Sequence, residues 1–287
     1  MATTPVPVVS TVSAVRAVVA EWRAAGERIA FVPTMGNLHA GHMSLAASGA
    51  AAARRVVMSI FVNPTQFGPS EDYSAYPRTL EADEALIATG GNVDLLFVPS
   101  AAEIYPFGLE DAVRIQLPAL SRELCGASRP GHFDGVATVV CRLLNIVAPD
   151  LLFLGQKDYQ QLVLVQRMID DLRLPVELRM GATLREDDGL AMSSRNRYLE
   201  PAERNRAPAL HRALSRVREQ LLAGQRDFPR LTADARAELE RAGFRPDYVE
   251  IRRQGDLARG EPQSAEQRIV LGAARLGRAR LIDNLLV

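Results

Sequence analysis

Along the first two-thirds of the chain, apolar residues come in short unbroken runs separated by longer stretches of mixed polarity. Runs at 29–33, 55–62, 93–98 and 151–154 are too short for helices and rich in Val, Ile, Leu and Phe, which predicts strands buried on both faces. Between them, 43–53, 79–88 and 136–147 read as helices. A further helix is expected at 159–172 and a strand at 176–180. Strand and helix alternating at this spacing predict a parallel sheet covered on both faces. In such sheets ligands sit at the carboxyl ends of the strands, near a switch in strand order.

The texture changes near 181–184. An arginine-rich amphipathic helix is expected over 201–223 and a second over 231–242, followed by strands at 248–251, 268–274 and 280–286. The expected fold is therefore α/β, a Rossmann-like doubly wound parallel sheet with a second, smaller α+β C-terminal domain. The division falls at residues 1–183 and 184–287. No internal repeat or low-complexity tract interrupts it.

Bulk composition narrows the class. A chain of 287 residues can bury two cores, and 47% hydrophobic with 24% charged residues is the make-up of a soluble globular protein. Zero formal net charge gives no support for broad nucleic-acid or anionic-membrane binding. The start, Met1-Ala2-Thr3-Thr4-Pro5, lacks a positive segment leading into an apolar core, and apolar runs such as 143–147 are too short to cross a bilayer. Cys125 and Cys141 share no metal-like spacing with each other or with histidines, which suits free thiols in a reducing, cytoplasmic compartment. Of the 34 basic residues only Lys157 is a lysine; the rest are arginine. A lysine that persists in such a chain marks either chance or a place where a compact, rotatable charge is needed rather than a planar fork.

Four segments concentrate chemistry. Pro33-Thr34-Met35-Gly36-Asn37-Leu38-His39-Ala40-Gly41-His42 leaves a predicted strand and enters a helix. Helix amino termini bind phosphate through N–H groups and the dipole, glycines permit close approach, and His39 and His42 can donate to phosphate oxygens. The alternative is a turn with capping histidines. Past the next strand, Asn63 and Gln66 could hydrogen-bond a small polar substrate, although Asn63-Pro64 also starts ordinary turns. Downstream, Glu81, Asp83 and Glu84 open a helix, where acidic residues complement the dipole unless a nucleotide needs a magnesium ligand. Gly155-Gln156-Lys157-Asp158 follows a buried strand, placing Lys157 where a phosphate would sit, with Asp158 as ribose acceptor or helix cap and Gln161 toward the same cleft. The fourth segment runs from Leu184 to Asn196; Ser193, Ser194 and Arg195 suit a triphosphate, or else form a polar capping loop. His132 could belong to the cleft or shape a turn, and His211 reads as a surface residue. No GxxxxGK[ST], GxGxxG or GxSxG motif occurs, so P-loop, dinucleotide-dehydrogenase and serine-hydrolase readings have no anchor.

Taken together these segments resemble the pantothenate synthetase (pantoate–β-alanine ligase) family, nearly end to end, from Phe31-Val32-Pro33-Thr34-Met35-Gly36 to Ala273-Ala274-Arg275-Leu276-Gly277. His-x-Gly-His alone marks only the wider nucleotidyltransferase superfamily. Joined to Phe61-Val62-Asn63-Pro64-Thr65-Gln66-Phe67, Lys157-Asp158-Tyr159-Gln160-Gln161 and Met192-Ser193-Ser194-Arg195-Asn196-Arg197-Tyr198, it is highly specific. The resemblance implies ATP-dependent condensation of pantoate with β-alanine through a pantoyl adenylate, releasing AMP and pyrophosphate. It implies an ATP site formed by Met35, Gly36, His39, Gly41, His42, Gly155, Gln156, Lys157, Asp158, Leu184, Met192, Ser193, Ser194 and Arg195, with His42, His39 and Lys157 as catalytic groups. Pantoate would meet Gln66 and Gln161, with Gln66 also near β-alanine and Asn63 a further substrate-binding residue; Asp83 would be the Mg2+-side carboxylate. A Rossmann-like domain with a smaller lid and a homodimeric assembly is also implied. Three positions depart from the family pattern by losing acidic character: Ala40, Ala82 and Gln156.

Overall fold

The computed structural model describes residues 5–68, 73–117 and 119–287. Among the described residues nine strands, labelled in chain order, are β1 Val8–Val9, β2 Ile29–Thr34, β3 Arg55–Ile60, β4 Leu95–Phe97, β5 Leu151–Gly155, β6 Glu177–Gly181, β7 Arg245–Arg253, β8 Arg268–Leu276 and β9 Ala279–Leu286. The chain divides into two compact units. One comprises the chain through Gly155 with Leu164–Gly181; the other comprises Gln156–Val163 with Ala182–Val287.

The first unit holds a six-stranded sheet in the order β1-β4-β3-β2-β5-β6, parallel at every pairing. Ile29, Phe31, Val32, Val57, Met58, Leu96, Leu151 and Leu152 are all fully buried, as strands covered on both faces must be. Ala30, Val32, Val56, Met58, Leu96, Leu151 and Phe153 share one core with Leu45 and Ala46 of helix Ala40–Ala52 and Ile87 of helix Leu80–Gly90. Alternate positions such as Phe31 and Phe97 point to the opposite face. Helix His132–Val147 packs against β2 and against helix Val12–Ala24. From β2 the chain winds outward through β3 and β4, then returns to β5 on the other side of β2. The strand order thus reverses between β2 and β5, and the carboxyl end of β2 is where this architecture seats ligands.

The second unit holds an antiparallel three-stranded sheet, β7-β8-β9, with Leu210, Leu214, Val217 and Leu221 of helix Ala209–Leu222 and Leu231, Ala235 and Leu239 of helix Phe228–Arg241 in one core.

The α/β class and the α+β character of the carboxyl-terminal part match the sequence reading. Two details differ. Strand β1 and helix Val12–Ala24 were not foreseen; the helix buries only Val15 and Val19, so its apolar stripe is too thin to stand out. The helix expected over 201–223 is two, Pro201–Arg206 and Ala209–Leu222. Pro208 stands at the break, where its missing N–H and its ring interrupt the ladder.

Candidate active site

The loop after β2 is shaped by its own backbone donors. The Thr34 hydroxyl donates to Ser59 O on β3 (2.7 Å) and accepts from the Gly36 N–H (3.2 Å). Gly36 and Asn37 then take positive φ, 80° and 51°. A side chain at position 36 would come within 3.0 Å of Ile60 Cγ2 and 3.1 Å of Asp83 Oδ2, so this turn requires glycine. The next two N–H groups converge on one carboxylate: Asn37 donates to Asp83 Oδ2 (2.9 Å) and Leu38 to Asp83 Oδ1 (2.7 Å), with the Thr79 hydroxyl adding a third bond (3.3 Å).

Asp83 is only 3% exposed. It fills a concavity of backbone donors of the kind that elsewhere holds phosphate. Asp83, expected on the magnesium side, directs both oxygens at hydrogen bonds that shape the loop. Among the described residues no group of three or more His, Cys, Asp or Glu could hold a metal ion.

Helix Ala40–Ala52 begins directly afterwards with His39 as its cap. His39 Nδ1 accepts from the Gly41 N–H (3.1 Å), and His42 Nδ1 accepts from the His39 N–H (3.3 Å), a reciprocal capping box. A backbone N–H can only donate, so both Nδ1 atoms present lone pairs, and in the neutral rings the proton sits on Nε2. The rings lie 4.1 Å apart. Gly41 is dictated by this arrangement, because a Cβ there would lie 2.9 Å from His39 Cε1. Capping with Nδ1 turns both Nε2 atoms away from the helix start.

Past β3, the turn Pro64–Gln66 carries the polar pair. Asn63 is 1% exposed, and its side chain is wholly engaged with protein. Oδ1 accepts from the Tyr105 hydroxyl (2.7 Å) and from the Thr65 hydroxyl (3.1 Å); Nδ2 donates to Gly135 O (3.2 Å) and Gln66 Oε1 (3.1 Å). Asn63, expected to meet substrate, thus supports the turn and the Gln66 amide. Gln66 Nε2 points to Met35 Sδ (3.2 Å), which joins this turn to the histidine loop. His132 Nδ1 lies 2.8 Å from Gln66 O and its Nε2 lies 2.7 Å from Arg129 Nη1. Since guanidinium can only donate, His132 accepts at Nε2 and donates from Nδ1. It both shapes the turn and holds the Gln66 backbone.

In the second unit, the turn Gln156–Asp158 follows β5 in the chain and leads into helix Tyr159–Asp171. Its clamp comes from the far carboxyl end. Asn284 Nδ2 donates to Gln156 O (2.9 Å) and Lys157 O (3.0 Å), while Gln156 Nε2 donates to Asn284 Oδ1 (3.2 Å). Gln156, one of the departures from the family pattern, thus pairs with Asn284, because Oδ1 there needs a donor. Lys157 Nζ lies 3.7 Å from Asp158 Oδ2. The adjacent Asp283 is buried and receives both prongs of Arg185 (2.7 and 3.0 Å) and the Asn284 N–H (2.8 Å). Burial would raise the Asp283 carboxyl, but nearby His211 and the Arg185 guanidinium more than offset it and hold the group below the usual carboxylate range. His211 Nδ1 stands 3.5 Å from Asp283 Oδ2 with no closed hydrogen bond, so His211 lines this buried pair rather than the surface.

Arg185 also starts the short hairpin in which Arg185 bridges Ala191 and the Met192 N–H donates to Leu184 O (3.0 Å). The hairpin delivers Ser193, whose hydroxyl accepts from the Arg195 N–H (3.3 Å) and caps the turn Ser194–Tyr198. Strand β9 touches both this turn and Gln156–Asp158.

The candidates therefore gather in two groups. Met35, Gly36, His39, Gly41, His42 and Gln66 belong to the first unit, as does Gly155 at the end of β5; Gln156, Lys157, Asp158, Gln161, Leu184, Met192, Ser193, Ser194 and Arg195 belong to the second. Sequence reasoning missed Tyr105, Asp283 and Asn284, whose signals are lone polar residues within apolar segments.

A strand-end loop bearing phosphate-type donors, a glutamine held against it, and a lysine and serines on a separate unit are the parts of a nucleotide-dependent enzyme. Similarity to known proteins decides which. The pantoate-beta-alanine ligase family matches residues 7–286. The chain belongs to that family. Pantothenate synthetase from Pseudomonas aeruginosa is 54% identical over 279 residues, 97% of this chain and 98% of that one. The enzyme of the same name from Methylococcus capsulatus is 53% identical over 281 residues, 98% and 97% of the two chains. Among solved structures, pantothenate synthetase from Thermus thermophilus superposes with a TM-score of 0.90 at 46% identity, covering 97% of this chain and 98% of that one. Pantoate-beta-alanine ligase from Francisella tularensis, complexed with beta-gamma ATP and beta-alanine, superposes with a TM-score of 0.80 at 33% identity over 98% and 97% of the two chains. The chain is accordingly an ATP-using ligase of pantothenate biosynthesis.

Proposed function

We propose that this ligase joins (R)-pantoate to β-alanine in two steps, with the groups described above in distinct roles. In the first, a pantoate carboxylate oxygen attacks the α-phosphorus of ATP; the new P–O bond forms as the bond to the bridging oxygen breaks, and pyrophosphate leaves. In the second, the amine of β-alanine attacks the acyl carbon; the C–O bond to the phosphate breaks, AMP leaves, and the amine proton passes to solvent. Neither step needs a covalent enzyme intermediate, so catalysis is positioning and stabilisation of charge developing on phosphate oxygens.

The observation that carries this reading is the reciprocal cap of His39 and His42. It leaves both rings as Nε2–H donors at the carboxyl end of β2, suited to hydrogen-bond the α-phosphate and the departing pyrophosphate. Pyrophosphate is a good leaving group, so donation of a hydrogen bond suffices. Met35, Gly36 and Gly41 would line the nucleotide, and Gln66 and Gln161 would take pantoate, Gln66 extending toward β-alanine. From the second unit, Gln156 to Asp158 with Leu184, Met192, Ser193, Ser194 and Arg195 would complete the ATP site together with Gly155, Lys157 as a compact charge between phosphate oxygens and Asp158 toward the ribose. We assign residues 1–183 to ATP and pantoate binding and 184–287 to a smaller lid, and expect a cytoplasmic homodimer. No helix of the described residues is long and apolar enough to cross a membrane. Mg2+ would travel with the ATP phosphates, and no residue is assigned to it.

The test is incubation with ATP, pantoate and β-alanine, omitting each in turn. AMP and pantothenate formed only with all three, and pyrophosphate release with ATP and pantoate alone, support the reading. A stable adenylylated product would identify an adenylyltransferase instead, and ATP binding without pantoate-dependent pyrophosphate release would identify a nucleotide sensor.

A further inference from the structure

The buried polar chain behind Gln66 settles which way its amide faces. Asn63 has two main-chain neighbours that cannot exchange roles: the Thr65 N–H, which only donates (3.4 Å to Oδ1), and Gly135 O, which only accepts (3.2 Å from Nδ2). These neighbours show which amide atom is oxygen and which is nitrogen; the first bond is long, so that orientation is held chiefly by the side chains around Asn63. The Tyr105 hydroxyl must then donate to Oδ1, at 2.7 Å the shortest bond of the network. Asn63 Nδ2 in turn must donate to Gln66 Oε1 (3.1 Å). Gln66 Oε1 is turned toward Asn63, and its Nε2 donor is directed the other way, where among the described residues it meets the thioether of Met35 (3.2 Å). A thioether is a weak acceptor, easily displaced by a substrate oxygen.

Three contacts hold this chain rigid. Tyr105 is buried, which pushes its hydroxyl pKa up and keeps it a donor, and the Arg142 guanidinium lies 4.8 Å from its ring centre. Gly135 admits the 64–66 turn directly, since a Cβ there would fall 2.3 Å from Thr65 O. The Gln66 backbone is held by His132.

We propose that Tyr105 is a positioning residue which, acting through Asn63, makes Gln66 a one-way hydrogen-bond donor, so that this point of the site accepts an oxygen of pantoate and rejects a donor group. The inference rests on the assignment of Gln66 to pantoate. Tyr105 touches no reacting atom; it sets the polarity of the residue that binds.

The test measures pantoate and ATP KM, kcat and thermal midpoint for Tyr105→Phe, Gln66→Ala and the double variant. Tyr105→Phe is expected to raise pantoate KM roughly tenfold, as for loss of about one net hydrogen bond, with kcat and ATP KM within about twofold of the parent. In the Gln66→Ala background the same change should add nothing. Gln66→Glu supplies a readout that packing alone would not move. Its ionised carboxylate should repel the substrate oxygen at neutral pH, and pantoate affinity should recover on acidification as the protonated carboxyl donates again. An unchanged pantoate KM in Tyr105→Phe, or an equal penalty with and without Gln66, overturns the positioning role alone. An unchanged pantoate KM in Gln66→Ala overturns both that role and the assignment of Gln66. A Gln66→Glu profile flat with pH overturns the donor polarity.

Discussion

The histidine loop and the lysine turn both follow parallel strands and both present phosphate-type donors, yet they are held in opposite ways. The histidine loop secures itself: within residues 34–42 the Thr34 hydroxyl and two imidazoles satisfy neighbouring N–H groups, and one outside residue, Asp83, takes the remaining pair. The lysine turn is tied to a distant strand. Its carbonyls are satisfied by Asn284, 127 residues further along, itself held by the Asp283–Arg185 pair. A locally closed loop tolerates change elsewhere in the chain; a turn clamped at long range fails when the distant strand fails.

The largest effect that can test this contrast is loss of the buried pair. Asp283→Ala leaves Arg185 without its carboxylate and should cost about 3 kcal/mol in urea or thermal unfolding of the second unit. The pH dependence has a definite sign. The Asp283 carboxyl is depressed, so its contribution is present above the unfolded-state value near ~3.9 and lost as pH falls through the lower folded value. The gap between parent and variant should therefore close on acidification; a gap independent of pH down to strongly acid conditions refutes the charge-pair account. The histidine loop should be indifferent to this substitution.

Next comes His42→Ala, expected to slow single-turnover pyrophosphate release at least about 100-fold, as for loss of one preorganised donor, with the fold retained. Near-parental adenylation would remove His42 from the mechanism. Asp83→Asn puts an N–H against an N–H in the loop turn and should raise ATP KM roughly tenfold, for one buried donor left without an acceptor, while the Mg2+ concentration for half-maximal rate stays put. A rise in that Mg2+ requirement would return Asp83 to the metal. Lys157→Arg keeps the charge but replaces a point with a fork; a loss of about tenfold in adenylation is expected for a site that needs the compact group, and retained activity would mean that chance kept this lysine. The smallest effect belongs to Gln156→Glu, which faces Asn284 Oδ1 with a second acceptor. About 1 kcal/mol of stability should go, and an unchanged thermal midpoint would dismiss this pairing as a structural need.

Much of this was readable from residues alone, for identifiable reasons. The strands at 29–34, 55–60 and 151–155 announce themselves because burial on both faces leaves them predominantly apolar. The histidine loop was readable because its parts lie within ten residues. Asp83 was visible, but its bonds to the loop were not: an acidic residue in a helix's first turn looks the same whether it serves the dipole, a metal or a loop packed above it. The bonds of Asn63 were not legible because its partners Tyr105 and Gly135 lie far off in the chain. Helix Val12–Ala24 gave too faint a stripe, and the break before Ala209 needed Pro208 to be weighed against a strong amphipathic pattern.

By itself, then, the sequence determined the layered α/β class, the family, and the loops that carry its chemistry, because each depends on residues close together in the chain. Only the tertiary structure decided the states of those residues: Nε2–H on two histidines, an outward donor on Gln66, a carboxylate spent on Asn37 and Leu38, a lysine turn tied to Asn284. Such states follow from which donor meets which acceptor: the histidine and Gln66 partners meet within a turn, while those of Asp83 and the lysine turn are brought together by folding from distant parts of the chain.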